Sequence, residues 1–205
     1  MSNIINVYFL NVDFLKDKAI FKKEYNNVLP YRKNKIDALQ FEKDKILSLG
    51  AEILLQKACL VNNISYKEIE VILNEFGKPF IKNNPFFYSV SHSGSLVMLA
   101  TAPIELGCDI EYMHDYDINL AKRFYTDDEY QNIIHSLNEK EEFFKTWTKK
   151  ESYVKSEGQG LKIALNSFSS LKETISSKII YSEIKDEYCL AISIKSFEEF
   201  YIHFN

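Results

Sequence analysis

Apolar residues in the first part of the chain follow a strand pattern, then a helix pattern, then a strand pattern again. β-branched and aromatic residues at 5–12 alternate with other residues and predict a β-strand. Across 33–60 the apolar residues recur at helical spacing, which predicts helical structure. A capping-box pattern at Ser65–Glu68 precedes a predicted strand at 69–73.

A turn and three short strands complete the first half of the sequence. The GKP sequence at Gly77–Pro79 is a turn signal. Strands are predicted from Phe86 to Val90, from Ser95 to Thr101 and from Leu106 to Glu111. Pro103 lies between the last two of these strands and marks the break at which a second half begins.

The second half turns helical and then returns to strands. Thr126 with Glu129, and Ser136 with Glu139, match the capping box. A long helix is predicted over 140–157, where a GQG sequence ends it. Antiparallel strands are predicted after it, with the sequences KIIYSEI (178–184), YCLAISI (188–194) and EFYIHF (199–204).

Both halves therefore run in the order strand, helices, strands. This order predicts an α+β fold of two similar α/β lobes in a pseudo-twofold arrangement. We assign residues 1–102 to an N-terminal lobe and residues 103–205 to a C-terminal lobe, and we expect an active site at the interface between the lobes.

The composition fits a folded protein of one domain or two small ones. Of the 205 residues, 46% are hydrophobic and 14% aromatic, well above a disordered composition. No apolar run reaches membrane-spanning length, and the N-terminal sequence lacks the features of a signal peptide. Cys59, Cys108 and Cys189 have no disulfide or zinc spacing and suit reduced thiols. We therefore expect a cytoplasmic protein with no membrane partner.

Charge is negative overall but unevenly distributed. The formal net charge of −4 argues against a nucleic-acid partner. Basic residues nevertheless cluster at 32–45 and again at 145–162. Such clusters are typical of a solvated helix face, and a site for an anionic small ligand is the sharper alternative.

Two acids interrupt an otherwise apolar strand pattern. In LGCDIEY the alternation places Cys108 and Ile110 on one face and Asp109 and Glu111 on the other. Positions two residues apart on a strand are separated by about 6.6 Å, so both acids can reach one cation. Oxygen ligands favour Mg²⁺ or Mn²⁺. From this segment alone, a half-buried strand with a solvated polar face is the better interpretation.

A third acid, Glu151, lies on the predicted long helix. It follows Trp147 and precedes Lys155 by one helical turn each, which places it on or beside the apolar stripe. A surface pair with Lys155, worth about 0.3–0.5 kcal/mol, is one interpretation. A metal ligand explains the position better, because a carboxylate there is costly unless it is paired or metal-bound. Acids for a metal, with Lys150 and Lys155 for phosphate, suit metal-assisted phosphoryl transfer.

The SHSG sequence at 91–94 allows two interpretations. Neighbouring strand residues point to opposite faces, so Ser91 and His92 are poorly placed as nucleophile and base. The sequence also does not match the G-x-S-x-G nucleophile elbow. Hydrogen bonding to a phosphate and a histidine satisfied at a strand end remain equal alternatives.

Several short motifs occur together in this chain. They are FGKPF, FYSVSHSG, LGCDIE, AKRFYTDDEY and WTKKESYVKSEGQGL. Together they resemble the 4′-phosphopantetheinyl transferase superfamily, specifically its Sfp-like, two-lobed members. The pairing of G-x-D-x-E with W-x-x-K-E-x-x-x-K makes the resemblance specific, and it extends over roughly residues 30–161.

The resemblance implies an enzyme that moves the phosphopantetheine arm of its substrate, coenzyme A, onto a serine of an apo carrier protein. The carrier is of the acyl or peptidyl type, and adenosine 3′,5′-bisphosphate is released. Mg²⁺ is the implied cofactor, with Mn²⁺ as an alternative. Two lobes in one chain favour a monomer. The N-terminal lobe would hold the adenine and 3′-phosphate side of coenzyme A, and the C-terminal lobe the metal and catalytic residues.

The resemblance also implies roles for the acids and lysines of the second lobe. Asp109, Glu111 and Glu151 match metal ligands that hold the pyrophosphate of coenzyme A. Lys150 and Lys155 match lysines at the pyrophosphate. Glu151 is further expected to take the proton of the carrier serine, and Lys155 to stabilise the departing phosphate.

Residues of the loop and strand in the first lobe are assigned in the same way. Gly77, Lys78 and Pro79 match the adenine-side loop. Ser91 and His92 match residues at the 3′-phosphate and ribose. Each of these assignments follows from the resemblance alone.

The early basic region gives a further set of implied contacts. Arg32 and Lys35 match basic contacts to the 3′-phosphate, and Ser48 matches a hydroxyl near the phosphates. The chain departs from the family pattern at Leu47, where an arginine is often found. Glu129 matches an acidic position near the metal and is assigned as a catalytic residue.

Two other functions use the same residues. A metal-dependent phosphohydrolase would use the acids without a carrier protein, and a non-catalytic relative would only bind coenzyme A or carrier proteins. The intact acids and both lysines argue against the non-catalytic relative, and we favour the transferase over both alternatives.

Overall fold

The computed structural model describes residues 4–172, 174–195 and 200–205. The first half contains β1 (Ile4–Asn11), α1 (Lys18–Asn27), α2 (Pro30–Ala38), α3 (Glu42–Val61), β2 (Val71–Leu73), β3 (Pro79–Ile81), β4 (Phe87–Ser93) and β5 (Leu96–Ala102). The second half contains β6 (Leu106–Tyr112), α4 (Ile118–Phe124), α5 (Asp127–Ile134), α6 (Glu139–Glu157), β7 (Thr174–Ile175), β8 (Lys178–Lys185), β9 (Tyr188–Lys195) and β10 (Tyr201–Phe204). No helix in these described ranges is both long and apolar enough to cross a membrane.

Two four-stranded sheets form the frame of the molecule. In the first sheet the order is β10-β1-β5-β4, with β1 antiparallel to β5 and parallel to β10. In the second sheet the order is β6-β9-β8-β7, and all the pairs are antiparallel. β2 and β3 form a separate hairpin. This architecture confirms the predicted α+β fold.

The last strand differs from its prediction. We expected an antiparallel strand at 199–204, but β10 pairs in parallel with β1. Glu199, where the predicted strand starts, lies outside the described residues. The parallel pairing covers the backbone groups on the edge of β1, and Phe204 stacks on Phe9 with 6.2 Å between ring centroids. Residues 201–204 therefore belong to the first sheet although they follow the second sheet in sequence.

The helical structure predicted over 33–60 consists of two helices, α2 and α3. The backbone is extended at Leu39 and Phe41, between them. The break allows α2 to turn back over α3, where the Arg32 guanidinium donates a hydrogen bond to the Ser48 hydroxyl, 3.2 Å away. The predicted helical structure is confirmed, but apolar periodicity reports a buried face and does not show where the helix axis turns.

The face alternation predicted for β6 is confirmed. Cys108 and Ile110 are fully buried in a core cluster that also contains Met98 of β5. Asp109 lies on the opposite face, toward α6, where it contacts Lys155. The two sheets thus pack through one face of β6 while its other face presents acids to the long helix.

Helix α6 lies directly on β6. A Cβ atom added at Gly107 would lie 2.0 Å from the Ser152 carbonyl oxygen and 2.3 Å from the Ser156 nitrogen, so the contact requires glycine. The helix predicted over 140–157 is confirmed by α6, and Gly158 ends it in the left-handed conformation, with φ of 68°. Close packing on β6 sets the separation between the acids of the strand and the side chains of the helix.

One of three predicted capping boxes is present. Thr126 and Glu129 form both hydrogen bonds of the box at the start of α5. Ser65 makes no side-chain capping hydrogen bond. Asn138 caps α6 in place of Ser136, because the Ser136 hydroxyl accepts a hydrogen bond from the backbone N–H of Asn138. The last two predictions were therefore wrong: neither serine caps a helix with its side chain, and the Ser136 hydroxyl stabilises a turn instead.

Candidate active site

A cleft of about 810 Å³ opens where the edge strands of the two sheets meet. Its walls come from β4, β6, α6 and the pair α2 and α3. All but two of the predicted site residues line it, namely Arg32, Lys35, Ser48, Gly77, Lys78, Pro79, Ser91, His92, Asp109, Glu111, Glu151 and Lys155. Residues far apart in sequence are thus brought to one cavity.

Asp109, Ser91 and Lys155 form a closed triangle of hydrogen bonds on one wall of the cleft. The Ser91 hydroxyl donates to Asp109 Oδ1 at 2.7 Å, and Lys155 Nζ donates to the same oxygen at 2.6 Å. Lys155 Nζ also lies 2.9 Å from Ser91 Oγ. Burial is the largest single effect and would lower the pKa of Lys155, but the charges of Asp109, Cys108 and Glu151 and the hydrogen bond to Asp109 together outweigh it and raise the pKa. Lys155 is therefore held as a cation at the cleft wall.

Glu111 and Glu151 lie beside this triangle and are both half-buried. Burial raises the pKa of the Glu151 carboxyl, the negative charge of Asp109 raises it further, and Lys155 opposes the shift. Burial also raises the pKa of Glu111, against a hydrogen bond from the Ser93 hydroxyl at 2.7 Å. Three acids in one cleft therefore repel each other, and a bound cation would relieve that repulsion.

The acids suit a divalent cation in their chemistry. Asp109 Oδ2 is buried and has no hydrogen-bond partner in the part of the chain that the structure describes. A buried carboxylate oxygen without a partner is costly, and hard cations such as Mg²⁺ and Mn²⁺ prefer oxygen ligands of this kind. As the side chains stand, no three His, Cys, Asp or Glu residues within the described ranges are gathered closely enough to hold a metal. The acids therefore fit a cation in the chemistry of their oxygen donors, and all three line one cleft.

The opposite end of the cleft is built around a buried arginine. Arg32 Nε donates to Glu52 Oε2 at 2.6 Å, and Arg32 Nη1 donates to Ser48 Oγ at 3.2 Å. The hydroxyls of Tyr31 and Tyr66 also donate to the Glu52 carboxylate, at 2.6 and 2.5 Å respectively. Glu52 is fully buried, so the hydrogen bonds from its three partners replace those it would make with water. Sequence reasoning missed Glu52 because nothing in its local pattern distinguishes it from a solvated helix acid.

Lys35 adds a second positive charge at this end. Burial lowers the pKa of Lys35, and the neighbouring charge of Arg32 lowers it further. An anionic ligand would reverse this effect by favouring the charged lysine. Arg32 and Lys35 together therefore form a basic end of the cleft, opposite in charge to the acids of β6 and α6.

The GKP turn forms a third wall. Gly77 has a φ of 85°, in the left-handed region that glycine tolerates. Asn74 shapes the turn by accepting the backbone N–H of Lys78 at 2.9 Å, and its amide donates to the Gly158 carbonyl at 2.8 Å. Phe76 also lines the cleft beside this turn. Asn74, which the sequence reasoning missed, thus ties the turn to the end of α6.

Lys150 and Glu129 do not line the cleft. Both side chains are fully buried, with Lys150 Nζ 2.7 Å from Glu129 Oε2. Lys150 Nζ also donates to the backbone carbonyls of Leu165 and Phe168, at 2.7 and 2.5 Å. Their expected roles at the pyrophosphate and the metal are therefore not compatible with this geometry. On a helix, adjacent residues point in different directions, so Lys150 faces the core where Glu151 faces the cleft.

Two protein-family profiles match the chain. The profile described as "4′-phosphopantetheinyl transferase superfamily" matches residues 105–202. The profile described as "4′-phosphopantetheinyl transferase, N-terminal" matches residues 17–104. The two matches meet in the turn between β5 and β6.

Individual relatives align over most of the chain. The 4′-phosphopantetheinyl transferase gsp of Aneurinibacillus migulanus is 32% identical over 187 residues, or 90% of this chain and 78% of the relative. The 4′-phosphopantetheinyl transferase ffp of Bacillus subtilis is 27% identical over 161 residues, or 75% of this chain and 72% of the relative. The 4′-phosphopantetheinyl transferase Sfp of Bacillus subtilis strain 168 is 29% identical over 146 residues, or 69% of this chain and 65% of the relative.

These matches agree with the motifs and with the cleft into which the fold gathers them. The alignment to gsp spans both sheets, and the two profiles together cover nearly all the described elements. The chain belongs to the 4′-phosphopantetheinyl transferase superfamily.

Proposed function

We propose that this transferase moves the 4′-phosphopantetheine arm of coenzyme A to a serine of an apo carrier protein, with adenosine 3′,5′-bisphosphate as the second product. The observation that supports this most directly is a single cleft with a basic end at Arg32 and Lys35 and an acidic wall at Asp109, Glu111 and Glu151. A ligand with several phosphates and a bound cation matches both charges.

The basic end would hold the 3′-phosphate of coenzyme A. Arg32 is buried and held by Glu52, so its remaining N–H groups are pre-organised for an anion. Lys35 and Ser48 border the same end. The turn at Gly77–Pro79 would receive the adenine, and His92, which is exposed at the rim, would contact the ribose side.

Asp109, Glu111 and Glu151 would hold Mg²⁺, or Mn²⁺ in its place. That cation would neutralise the pyrophosphate and polarise its phosphoryl oxygens. Asp109 has the clearest role, because its buried Oδ2 has no protein partner among the described residues. Ser91 and Lys155 fix the orientation of that carboxylate through its other oxygen.

The chemistry is a displacement at the phosphorus that carries the pantetheine arm. The carrier serine oxygen forms a bond to this phosphorus, and the bond from phosphorus to the bridging oxygen breaks. Glu151, which lines the cleft beside Asp109 and Lys155, takes the serine proton directly or through a water. Lys155 donates hydrogen bonds to the departing phosphate. The nucleophile comes from the partner protein. All the described walls of the cleft come from one chain, which suits a monomer.

The test is intact-mass analysis of several apo carrier proteins after incubation with coenzyme A, Mg²⁺ and the enzyme. The expected result is a mass gain of one phosphopantetheine on at least one carrier, together with release of adenosine 3′,5′-bisphosphate. Omission of Mg²⁺ and substitution of Asp109→Ala are the controls, and each should abolish the gain. Release of the bisphosphate without a change in any carrier would identify a phosphohydrolase instead.

A further inference from the structure

Three serines of β4 face the edge of β6. Ser89, Ser91 and Ser93 occupy alternate positions of the strand and therefore share one side. β4 and β6 are edge strands of different sheets and are not neighbours in a hydrogen-bonded ladder. Side-chain hydroxyls join the two strands where a continuous sheet would use backbone carbonyls.

Two of the hydroxyls accept backbone N–H groups of β6 in the same way. The N–H of Cys108 donates to Ser89 Oγ at 3.0 Å, and the N–H of Tyr112 donates to Ser93 Oγ at 3.0 Å. Removing either hydroxyl would leave one N–H of β6 without this acceptor. The two serines therefore make the same kind of link between the sheets, although Ser89 is buried and lines the cleft.

Ser93 differs from Ser89 in a second hydrogen bond. Its hydroxyl donates to Glu111 Oε2 at 2.7 Å. Because the Tyr112 N–H occupies one lone pair of Ser93 Oγ, the single hydroxyl hydrogen remains to be directed at the carboxylate. Ser93 is half-buried and is not among the residues that line the cleft. It therefore contacts Glu111 from a position outside the cleft.

We propose that Ser93 is a positioning residue, which fixes the carboxylate of Glu111 for the cation in the cleft. The inference rests on the proposed function, because it assigns Glu111 as a ligand. One oxygen of Glu111 is held by the Ser93 hydroxyl, and a carboxylate keeps its second oxygen for a cation. Hydrogen bonds of this kind orient a ligand and reduce the cost of ordering it when a metal binds.

The test compares Ser93→Ala with Ser89→Ala. Each variant loses one acceptor for a β6 N–H, but only Ser93→Ala loses the donor to Glu111. Binding of Mn²⁺ is measured by electron paramagnetic resonance with and without coenzyme A, and the Mg²⁺ concentration for half-maximal transfer is measured separately. We expect Ser93→Ala to lower the affinity for Mn²⁺ and to raise the Mg²⁺ concentration for half-maximal transfer, each by about tenfold or more. Ser89→Ala should match the wild type in both measurements.

Further variants separate positioning from stability. Ser93→Thr keeps a hydroxyl and should restore cation binding to near the wild-type value. If Ser93→Ala does not fold, Ser93→Cys fills the same space with a much weaker donor and should show the same loss of cation affinity. A positioning role changes the cation requirement, whereas a merely structural role changes only the unfolding temperature.

Two results overturn the inference. One is a Ser93→Ala enzyme that binds Mn²⁺ as tightly as the wild type, and the other is an equal loss in Ser89→Ala. If the wild type transfers phosphopantetheine and Ser93→Ala has the same Mg²⁺ requirement, the positioning role is refuted and the proposed function is not. A wild-type protein that neither binds Mn²⁺ nor modifies a carrier refutes the proposed function, and the positioning role with it.

Discussion

At the scale of single residues, the cleft holds Glu151 in surroundings that disfavour its charge. Its pKa is raised, first by burial and then by Asp109, so the folded state binds the proton more tightly than the unfolded chain does. The stability that Glu151 contributes is therefore present below its ordinary pKa of 4.5 and is lost as pH rises through the folded value. Above the folded pKa the ionised side chain destabilises the fold.

Glu151→Gln should accordingly raise the unfolding temperature at neutral pH while it lowers transfer by about 100-fold or more, because the base is lost. The gain in unfolding temperature should shrink as pH falls toward 4.5. Calorimetry across this pH range, with transfer measured by intact mass, checks both effects. If the variant were less stable than the wild type at pH 7, the surroundings of Glu151 would not disfavour its ionised form, and the prediction would be wrong.

Removal of the charge of Lys150 should have the opposite effect on stability. Removal of one partner from a fully buried ion pair leaves an uncompensated charge, so Lys150→Met should lower the free energy of unfolding by about 3–5 kcal/mol. Lys150→Met combined with Glu129→Leu removes both charges and should recover much of the loss. Urea unfolding measures the stabilities. If Lys150→Met kept full stability and instead raised the KM for coenzyme A, the lysine would belong at the pyrophosphate after all.

The contrast between Lys150 and Glu151 shows how far sequence predicts the site. The spacing of acids and lysines predicted which segments meet, because each motif falls on one strand or helix with a defined face. It did not separate Lys150 from Lys155, since both are lysines on the same helix. Partners distant in sequence, such as Glu52 for Arg32, were not predictable because their roles exist only after α2 folds back on α3.

At the scale of elements, the contact between α6 and β6 holds the site together. Gly107→Ala would place a methyl group 2.0 Å from the Ser152 carbonyl, so the helix must move away from the strand. We expect a loss of stability of about 1–3 kcal/mol and a larger loss of transfer, because Glu151 moves relative to Asp109. Gly50→Ala is the control: its new methyl would meet a terminal carbon of the Val12 side chain, 2.3 Å away, which can shift more readily than backbone.

Unfolding by urea and transfer by intact mass would compare the two glycine variants. Transfer reduced equally in both, after correction for the folded fraction, would show that the packing of α6 on β6 has no special role in positioning the acids.

Strands and the long helix α6 were predictable at this scale because apolar periodicity and helix caps are local features of the sequence. The break between α2 and α3 was not, because it depends on where α2 packs.

At the scale of the whole molecule, β10 joins the end of the chain to the first sheet. Its pairing with β1 could not be predicted from sequence, because a short exposed strand carries no information about its neighbour. The backbone N–H of Asn205 donates to the Val7 carbonyl at 2.7 Å, and Ile202 packs against the core between the sheets. β10 therefore ties the second half of the chain to the sheet opposite its own.

If this tie supports the fold, a charge on its buried side should weaken the whole molecule. Ile202→Asp would place a carboxylate against the apolar cluster between the sheets, and we expect a loss of about 1–3 kcal/mol in the free energy of unfolding. Tyr201→Asp is the matched control, because Tyr201 is 70% exposed and its replacement should change the stability by less than about 0.5 kcal/mol. Urea unfolding monitored by circular dichroism measures both. Equal stabilities for the two variants would mean that β10 contributes nothing to the core and that the first sheet stands without it.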